Sequence, residues 1–252
     1  MHMDETLLDP DLRKCALLLD VDGTIVDIAP TPDAVRVPAS LKAALARLVA
    51  ATDGAVALVS GRMLADLDRL FAPLRLAAVG GHGAELRLLD GAAGRARQPP
   101  RLDAELARRL AALAVGGVVK EDKGSSIALH YRQAPERERP VREAVARICA
   151  ERWPTPVEIL PGKAVVEIKA AGFSKATGVR ELMTHAPFAG RRPIFIGDDA
   201  TDESVFAIMP DLDGIAFSVG RGVAGVAGCF AAPARVRAWL DRIAPVDAGV
   251  AP

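Results

Sequence analysis

Three cysteines in 252 residues, Cys15, Cys149 and Cys229, stand far apart and form no Cys-x-x-Cys pair. That scatter fits neither a disulfide framework nor a thiolate zinc site. No run of about 18 apolar residues occurs, so no segment reads as a membrane-crossing helix. Charge of one sign is not in excess either, with 32 Lys and Arg against 32 Asp and Glu. A generic pull toward nucleic acid or anionic lipid is therefore missing, and any acidic ligand must be held by local groups. The opening residues, MHMDETLLDPDLRK, are acidic before any apolar stretch, the wrong order for a secretory signal. Together these absences predict a cytoplasmic protein without membrane or nucleic-acid partners. Internal repeats and low-complexity tracts are also missing.

What is present is ordinary globular composition, 50% hydrophobic and 25% charged. The length suits one large domain or a core with a smaller companion. CALLLD, ending at Asp20, is an apolar run closing on an acid, as in a buried parallel strand whose last residue meets a crevice. A helix with Leu41, Ala44, Leu45 and Leu48 follows, then strand GAVALVSG, a helix with Leu64, Leu67 and Phe71, and strand LAAVG. This alternation predicts an α/β fold, a doubly wound, Rossmann-like parallel sheet.

The rhythm breaks at the Gly-, Pro- and Arg-rich stretch GAAGRARQPP, residues 91–100. Beyond it come a helix, two strands (GVVKE, SSIALHY), a second helix and two more strands (VEIL, KAVVEIK), the order of an α+β layer with an antiparallel sheet. From Ser174 the α/β rhythm resumes, with a helix, strand PIFIG and further strand candidates. The expected organisation is a discontinuous core, 1–98 and 172–252, interrupted by an inserted α+β unit, 99–171. Twelve Lys and Arg against ten Asp and Glu between residues 98 and 168 leave no basic stripe there.

Chemistry concentrates where core strands end. Asp20-Val21-Asp22-Gly23-Thr24 sets two carboxylates two residues apart after a buried strand, at the ligand edge of an open α/β sheet. Such acids coexist through a cation or through different protonation states. A surface turn would read the same; a calcium loop fits less well, because Val26 is apolar and Pro30 and Pro32 break the spacing. Asp198, Asp199, Asp202 and Glu203 follow strand PIFIG and open a helix. Helix capping accounts for one or two of them. The remainder, with the first pair, offers hard oxygen ligands suited to Mg²⁺. Ser60-Gly61-Arg62 and Ser174-Lys175, also at element starts, supply the hydroxyl, amides and ammonium that bind phosphoryl oxygens.

In order, DVDGT, the Ser of VSGR, Lys175 and GDDATDE resemble the four motifs of the haloacid dehalogenase superfamily of phosphotransferases. GGHGAE, EDKGSSIALHYR and GKAVVEIK extend the resemblance, over core and insertion alike, to its trehalose-6-phosphate phosphatase family. One departure is Lys175-Ala176 where that family commonly has Lys-Gly, from which only a local adjustment of the helix start is expected. The resemblance implies a phosphomonoester hydrolase acting on trehalose 6-phosphate in trehalose biosynthesis. Asp20 would be the nucleophile, Asp22 the general acid and base, and Ser60 and Lys175 the phosphoryl anchors. Mg²⁺ would sit on Asp20, the backbone carbonyl of Asp22 and Asp198, with Asp199 or Asp202 in support, and Thr24 would orient the loop and Asp22. The insertion would be a specificity cap, with Glu121, Lys123 and Glu167 as sugar ligands and Arg62 and His82 on the core side. In KAVVEIK, alternation puts Lys163, Val165, Glu167 and Lys169 on one face and Ala164, Val166 and Ile168 on the other. His130 shares a strand face with Ser126. Functional pairing with a trehalose-phosphate synthase is a further implication. Related readings are a phosphatase for sucrose phosphate or mannosylphosphoglycerate, or a non-catalytic regulatory module.

Overall fold

A computed structural model describes residues 9–29, 34–89, 100–162 and 164–245. The stretch 91–99 and Lys163 fall outside these residues. The chain divides into two compact units, Met1–Arg97 with Ser174–Pro252, and Gln98–Phe173.

In the first unit, β1 (Cys15–Leu19) is followed by α1 (Ala39–Ala51), β2 (Val56–Val59), α2 (Leu64–Phe71), β3 (Ala77–Gly80) and β4 (Glu85–Arg87). In the second come α3 (Ala104–Ala111), β5 (Val119–Asp122), β6 (Ser126–His130), α4 (Glu138–Cys149), β7 (Val157–Gly162) and β8 (Val165–Ala170). The first unit resumes with α5 (Lys175–Leu182), β9 (Arg192–Gly197), α6 (Glu203–Ile208), β10 (Ile215–Val219), β11 (Gly228–Phe230) and α7 (Pro233–Ile243).

The core sheet runs β11-β10-β9-β1-β2-β3-β4, parallel except where β4 pairs antiparallel with β3. Its strands read as unbroken apolar runs because both faces are covered. Leu17, Leu19, Val56, Leu58, Ile194 and Ile196 pack with α1, α2 and α7, while Ala16, Leu18, Ala57, Val59 and Phe195 pack with α5 and α6. The α/β expectation therefore holds. Because β9, β1 and β2 are neighbours, residues just past their carboxyl ends, Asp198, Asp20 and Ser60, come to one edge. β4 was not expected. It arises because His82 (φ 53°) and Gly83 (φ 97°) turn the chain back beside β3.

In the second unit the sheet runs β5-β6-β8-β7, antiparallel throughout. Leu106, Leu110, Val141 and Val145 of its two helices cover Ile127, Leu129, Val166 and Ile168. Asp103 caps α3 by accepting from the amides of Glu105 and Leu106. Among the described residues no helix is long and apolar enough to cross a membrane.

Candidate active site

Asp20 leaves β1 buried, 4% exposed, and both carboxylate oxygens are engaged. Oδ1 accepts from Lys175 Nζ at 2.7 Å and Oδ2 from the Thr24 hydroxyl at 2.9 Å. Thr24 reaches this point because Gly23, at φ 84°, reverses the chain. A Cβ on Gly23 would stand 2.2 Å from Asp198 Oδ2, so only glycine admits that carboxylate to the loop. Thr24 was expected to orient Asp22. It instead lies between Asp20 and Asp198, 3.0 Å from Asp198 Oδ1.

Lys175 is brought in by α5. Ser174 caps that helix, accepting from the amide of Thr177, whose hydroxyl accepts from the Ser174 amide. A Cβ on Gly83 would meet the Ser174 carbonyl oxygen at 1.9 Å, so the GGHG turn lets the helix start press against it. The start is regular with Ala176 in place. Lys175 Nζ also donates to Asp202 Oδ1 at 2.7 Å, and Asp202 Oδ2 accepts from the amides of Asp198 and Asp199. Asp202, fully buried, thus staples the β9–α6 loop and anchors the lysine. Asp199 Oδ1 accepts from the amides of Thr201 and Asp202 and from the Thr201 hydroxyl, the capping anticipated for part of the cluster.

Charge here is crowded. Burial, then the neighbouring charge of Asp20, pushes Asp198 up to about 7. Burial likewise raises Asp20, with Lys175 partly offsetting it, and raises Asp202 together with Asp20. For Lys175, burial alone would lower the pKa, but Asp20, Asp202 and Asp199 outweigh it and hold the ammonium charged. Asp199 is lowered because Lys175 and its hydrogen bonds outweigh burial.

The donor set suits a hard divalent cation. One oxygen each from Asp20, Asp198 and Asp202 lies within 4.8 Å of the others. The single hydroxyl hydrogen of Thr24 serves only one of the two carboxylates it touches, so a positive charge fits the shared space.

Asp22 is gripped by Arg62, Nε to Oδ2 at 2.6 Å and Nη2 to Oδ1 at 2.7 Å, a bidentate pair. Arg62, expected to touch substrate, therefore orients a carboxylate of the DVDGT loop. Its amide donates to Ser60 Oγ at 3.1 Å, which ties the end of β2 to this corner. His82 packs its ring over Gly61, where a Cβ would stand 2.4 Å from Nε2. Arg221, beyond β10, was missed. Its Nε donates to the Asp198 carbonyl at 3.2 Å and its Nη2 to Glu203 at 2.6 Å. Its place at the carboxyl edge of the sheet, in SVGRG, was the available signal.

Within the second unit, the register aligns Glu121, Ala128 and Glu167 across β5, β6 and β8. Ser126 Oγ donates to Glu167 Oε1 at 2.6 Å, and Lys123 Nζ to the same oxygen at 3.3 Å. His130 Nε2 lies 3.0 Å from Glu121 Oε2. That hydrogen bond, with help from Lys123, lowers the Glu121 pKa despite burial. Ser126, singled out in the sequence only as sharing the face of His130, is bonded to Glu167. Val166 and Ile168 are buried on the apolar face, as alternation required. Lys169, opposite Ser126 and Glu158 in the register, shares the face of Glu167 as alternation required. It is buried, ion-paired with Glu158 and bonded to the Phe173 carbonyl.

The family model for trehalose-phosphatase matches residues 18–226. The trehalose-6-phosphate phosphatase of Escherichia coli (strain K12) is 39% identical over 245 residues, covering 96% of this chain and 91% of that protein. A probable trehalose-phosphate phosphatase of Sinorhizobium fredii (strain NBRC 101917 / NGR234) is 44% identical over 219 residues, 86% of this chain and 82% of that protein. Among solved structures, the C-terminal domain of C. albicans trehalose-6-phosphate phosphatase superposes with TM-score 0.74 at 20% identity, over 96% of this chain and 97% of that one. That structural likeness speaks for the fold alone.

Proposed function

The chain belongs to the trehalose-phosphatase family, and from that premise we infer that it hydrolyses trehalose 6-phosphate to trehalose and inorganic phosphate. It is an enzyme, a phosphomonoester hydrolase of trehalose biosynthesis. The observation that carries the reading is Asp20, held at the end of β1 by Thr24 and Lys175 beside Asp198 and Asp202.

In the mechanism we propose, an Asp20 carboxylate oxygen attacks phosphorus and the bond to the sugar oxygen breaks. Asp22 supplies the proton the departing oxygen needs, leaving an aspartyl phosphate. Asp22 then takes a proton from a water, whose oxygen attacks phosphorus and frees phosphate and the Asp20 carboxylate. The Arg62 fork fixes the direction in which the Asp22 carboxylate points. Lys175 offsets part of the charge of Asp20 and Asp202, and Ser60 offers a hydroxyl at the next strand end for a phosphoryl oxygen. Mg²⁺, held by Asp20, Asp198 and the Asp22 carbonyl with Asp199 or Asp202 in support, would offset repulsion between the nucleophile and the phosphate dianion.

We assign residues 99–171 as the specificity cap and its Glu121, Lys123 and Glu167 as sugar-hydroxyl ligands. The clustering of these groups with Ser126 on one polar sheet face supports this. His82 belongs to the same proposal on the core side. The scattered thiols, among which Cys149 and Cys229 are not buried, support a cytoplasmic location. Pairing with a trehalose-phosphate synthase extends the proposal by one step, since such an enzyme makes this substrate.

The test is phosphate release from trehalose 6-phosphate beside sucrose 6-phosphate, glucose 6-phosphate and a small aryl phosphate, with Mg²⁺ and with chelator. A Mg²⁺-dependent preference for trehalose 6-phosphate is expected, and Asp20→Asn should abolish it while preserving the fold. Preference for another ester overturns the substrate assignment. Normal turnover by Asp20→Asn overturns the covalent mechanism.

A further inference from the structure

The helix α2 begins without a cap from its own segment, since Met63 at its N-cap is apolar and makes no side-chain capping bond. The first amide of the helix, that of Leu64, has no partner within the helix. It donates instead to Glu85 Oε2, at 2.6 Å, from the first residue of β4. A carboxylate accepting from a helix N-terminus makes a charge-assisted bond that the helix dipole favours. Arg87 lies two residues further and therefore on the same face of β4. Its Nη1 donates to Asp68 of α2 at 2.7 Å, so β4 grips α2 at two points. Gly80, opposite Glu85 in the register, makes the room: a Cβ there would stand 3.1 Å from Glu85 Oε2 and 3.0 Å from the Arg62 carbonyl oxygen.

The segment held in this way carries Arg62. Its carbonyl accepts from the Gly81 amide at 2.8 Å, and the Ser60 carbonyl accepts from the His82 amide at 3.1 Å. The backbone on either side of the Arg62 side chain is thus fixed, by the GGHG turn before it and by Glu85 after it. From that position the guanidinium takes both oxygens of Asp22, at 2.6 and 2.7 Å. A two-point fork holds over a narrow range of angles, so a shift of its backbone loosens or turns the carboxylate it grips. Misplacement of a group that moves a proton is costly even when it is small.

We propose that Glu85 is a positioning residue for proton transfer by Asp22, acting through the start of α2 and the Arg62 fork. This rests on Asp22 being the acid of the mechanism given above, and it is independent of which sugar the enzyme releases.

A donated proton matters most when the departing oxygen is basic. Phenyl phosphate and p-nitrophenyl phosphate differ in that basicity and neither carries a sugar, so the ratio of their kcat/KM values reads proton donation and is blind to sugar binding. The experiment measures this ratio in the full chain with Mg²⁺. Asp22→Asn sets the scale of a lost acid, and its loss on phenyl phosphate should exceed that on p-nitrophenyl phosphate by at least about tenfold. Glu85→Met keeps the length of the side chain but accepts no hydrogen bond, and should move the ratio the same way by at least about fivefold. Glu85→Gln keeps an oxygen for the Leu64 amide and should stay within about twofold of wild type. Asp103→Ala removes the cap of α3 in the other unit and should leave the ratio unchanged. Adding Glu85→Met to Asp22→Asn should shift the ratio no further, because no acid is left to position. A wild-type ratio in Glu85→Met, with the expected shift in Asp22→Asn, overturns the proposal and leaves the mechanism standing. A wild-type ratio in Asp22→Asn overturns the mechanism and the proposal with it. A Gln variant as impaired as Met, a further shift in the double variant or a shift in Asp103→Ala also overturns the proposal. Melting curves of each variant establish folding, and Glu85→Asp, one methylene too short for the contact, carries the test if Glu85→Met is not folded.

Discussion

In chelator, the protein should lose stability as pH rises through neutrality, and Asp198, beside Asp20 and Asp202 whose carboxyls burial also raises, carries part of the effect. Burial and the charge of Asp20 raise its pKa from 3.8 to about 7. An acid that holds its proton more tightly when folded favours folding fully below its unfolded pKa, and that advantage disappears as pH climbs through the folded value. A rise of about three units at ~1.4 kcal/mol each sets an upper bound of ~4 kcal/mol. Asp198 is partly exposed, and solvent screening reduces the figure to ~2 kcal/mol. About two of the three units are lost between about pH 5 and about pH 8, so ~1.3 kcal/mol falls in that window, and at ~2–4 °C per kcal/mol for a chain of this size the melting temperature should fall by ~3–5 °C. A divalent cation takes over the role of the proton, so Mg²⁺ should restore more of the loss at about pH 8 than at about pH 5. Asp198→Asn removes its share of the titrating charge and should make the chelator profile shallower. The assay is a series of thermal melts of wild type and Asp198→Asn, with chelator and with Mg²⁺. A chelator profile that is level or rising, or an Asn variant with the wild-type slope, would refute the reasoning.

Gly23→Ala places a Cβ 2.2 Å from Asp198 Oδ2 at a φ of 84°. The backbone alone costs ~1–2 kcal/mol, and the displaced carboxylate should remove most turnover; a variant with near-normal phosphate release would show that the loop has room. Glu167→Ala should impair trehalose 6-phosphate far more than a small aryl phosphate in parallel kcat/KM measurements, whereas equal losses would mean Glu167 only holds Ser126 and Lys123. Phe195→Ala, at a fully buried site whose ring centroid lies 5.6 Å from that of Phe206, should cost ~3–5 kcal/mol in denaturant melts; a loss below 1 kcal/mol or so would mean that the core collapses around the gap.

The legible part of the fold was the part in which burial leaves a local trace. β1, β2, β3, β9 and β10 are covered on both faces, so each is an apolar run bounded by turn residues. α1, α2, α3 and α4 carry leucine, valine and isoleucine at helical spacing for the same reason. β4 left no such trace. Three residues, Glu85, Leu86 and Arg87, show no periodicity, and they become a strand only because the preceding turn sets them against β3. The helix α7 has its place from contact with the face of the sheet, where Val236, Trp239 and Leu240 are buried.

In the site the division is similar. Residue type and position at a strand or helix start singled out Asp20, Asp22, Ser60, Lys175 and the acids after β9, because carboxylates crowded at a sheet edge have few structural uses. Which group meets which was a matter of tertiary distance. Thr24 bonds an aspartate 174 residues away, Lys175 one 155 residues away, and Arg62 takes Asp22 from the neighbouring loop. Asp199 and Asp202 lie three residues apart in one acidic run, yet one is shifted below the ordinary aspartate value and the other well above it. Local sequence thus determined the elements and the chemical vocabulary of this protein, since periodicity and residue type are properties of neighbours in the chain. Only the packed structure decided partners and protonation, because hydrogen bonds, desolvation and charge repulsion depend on separations in space that the order of residues does not contain.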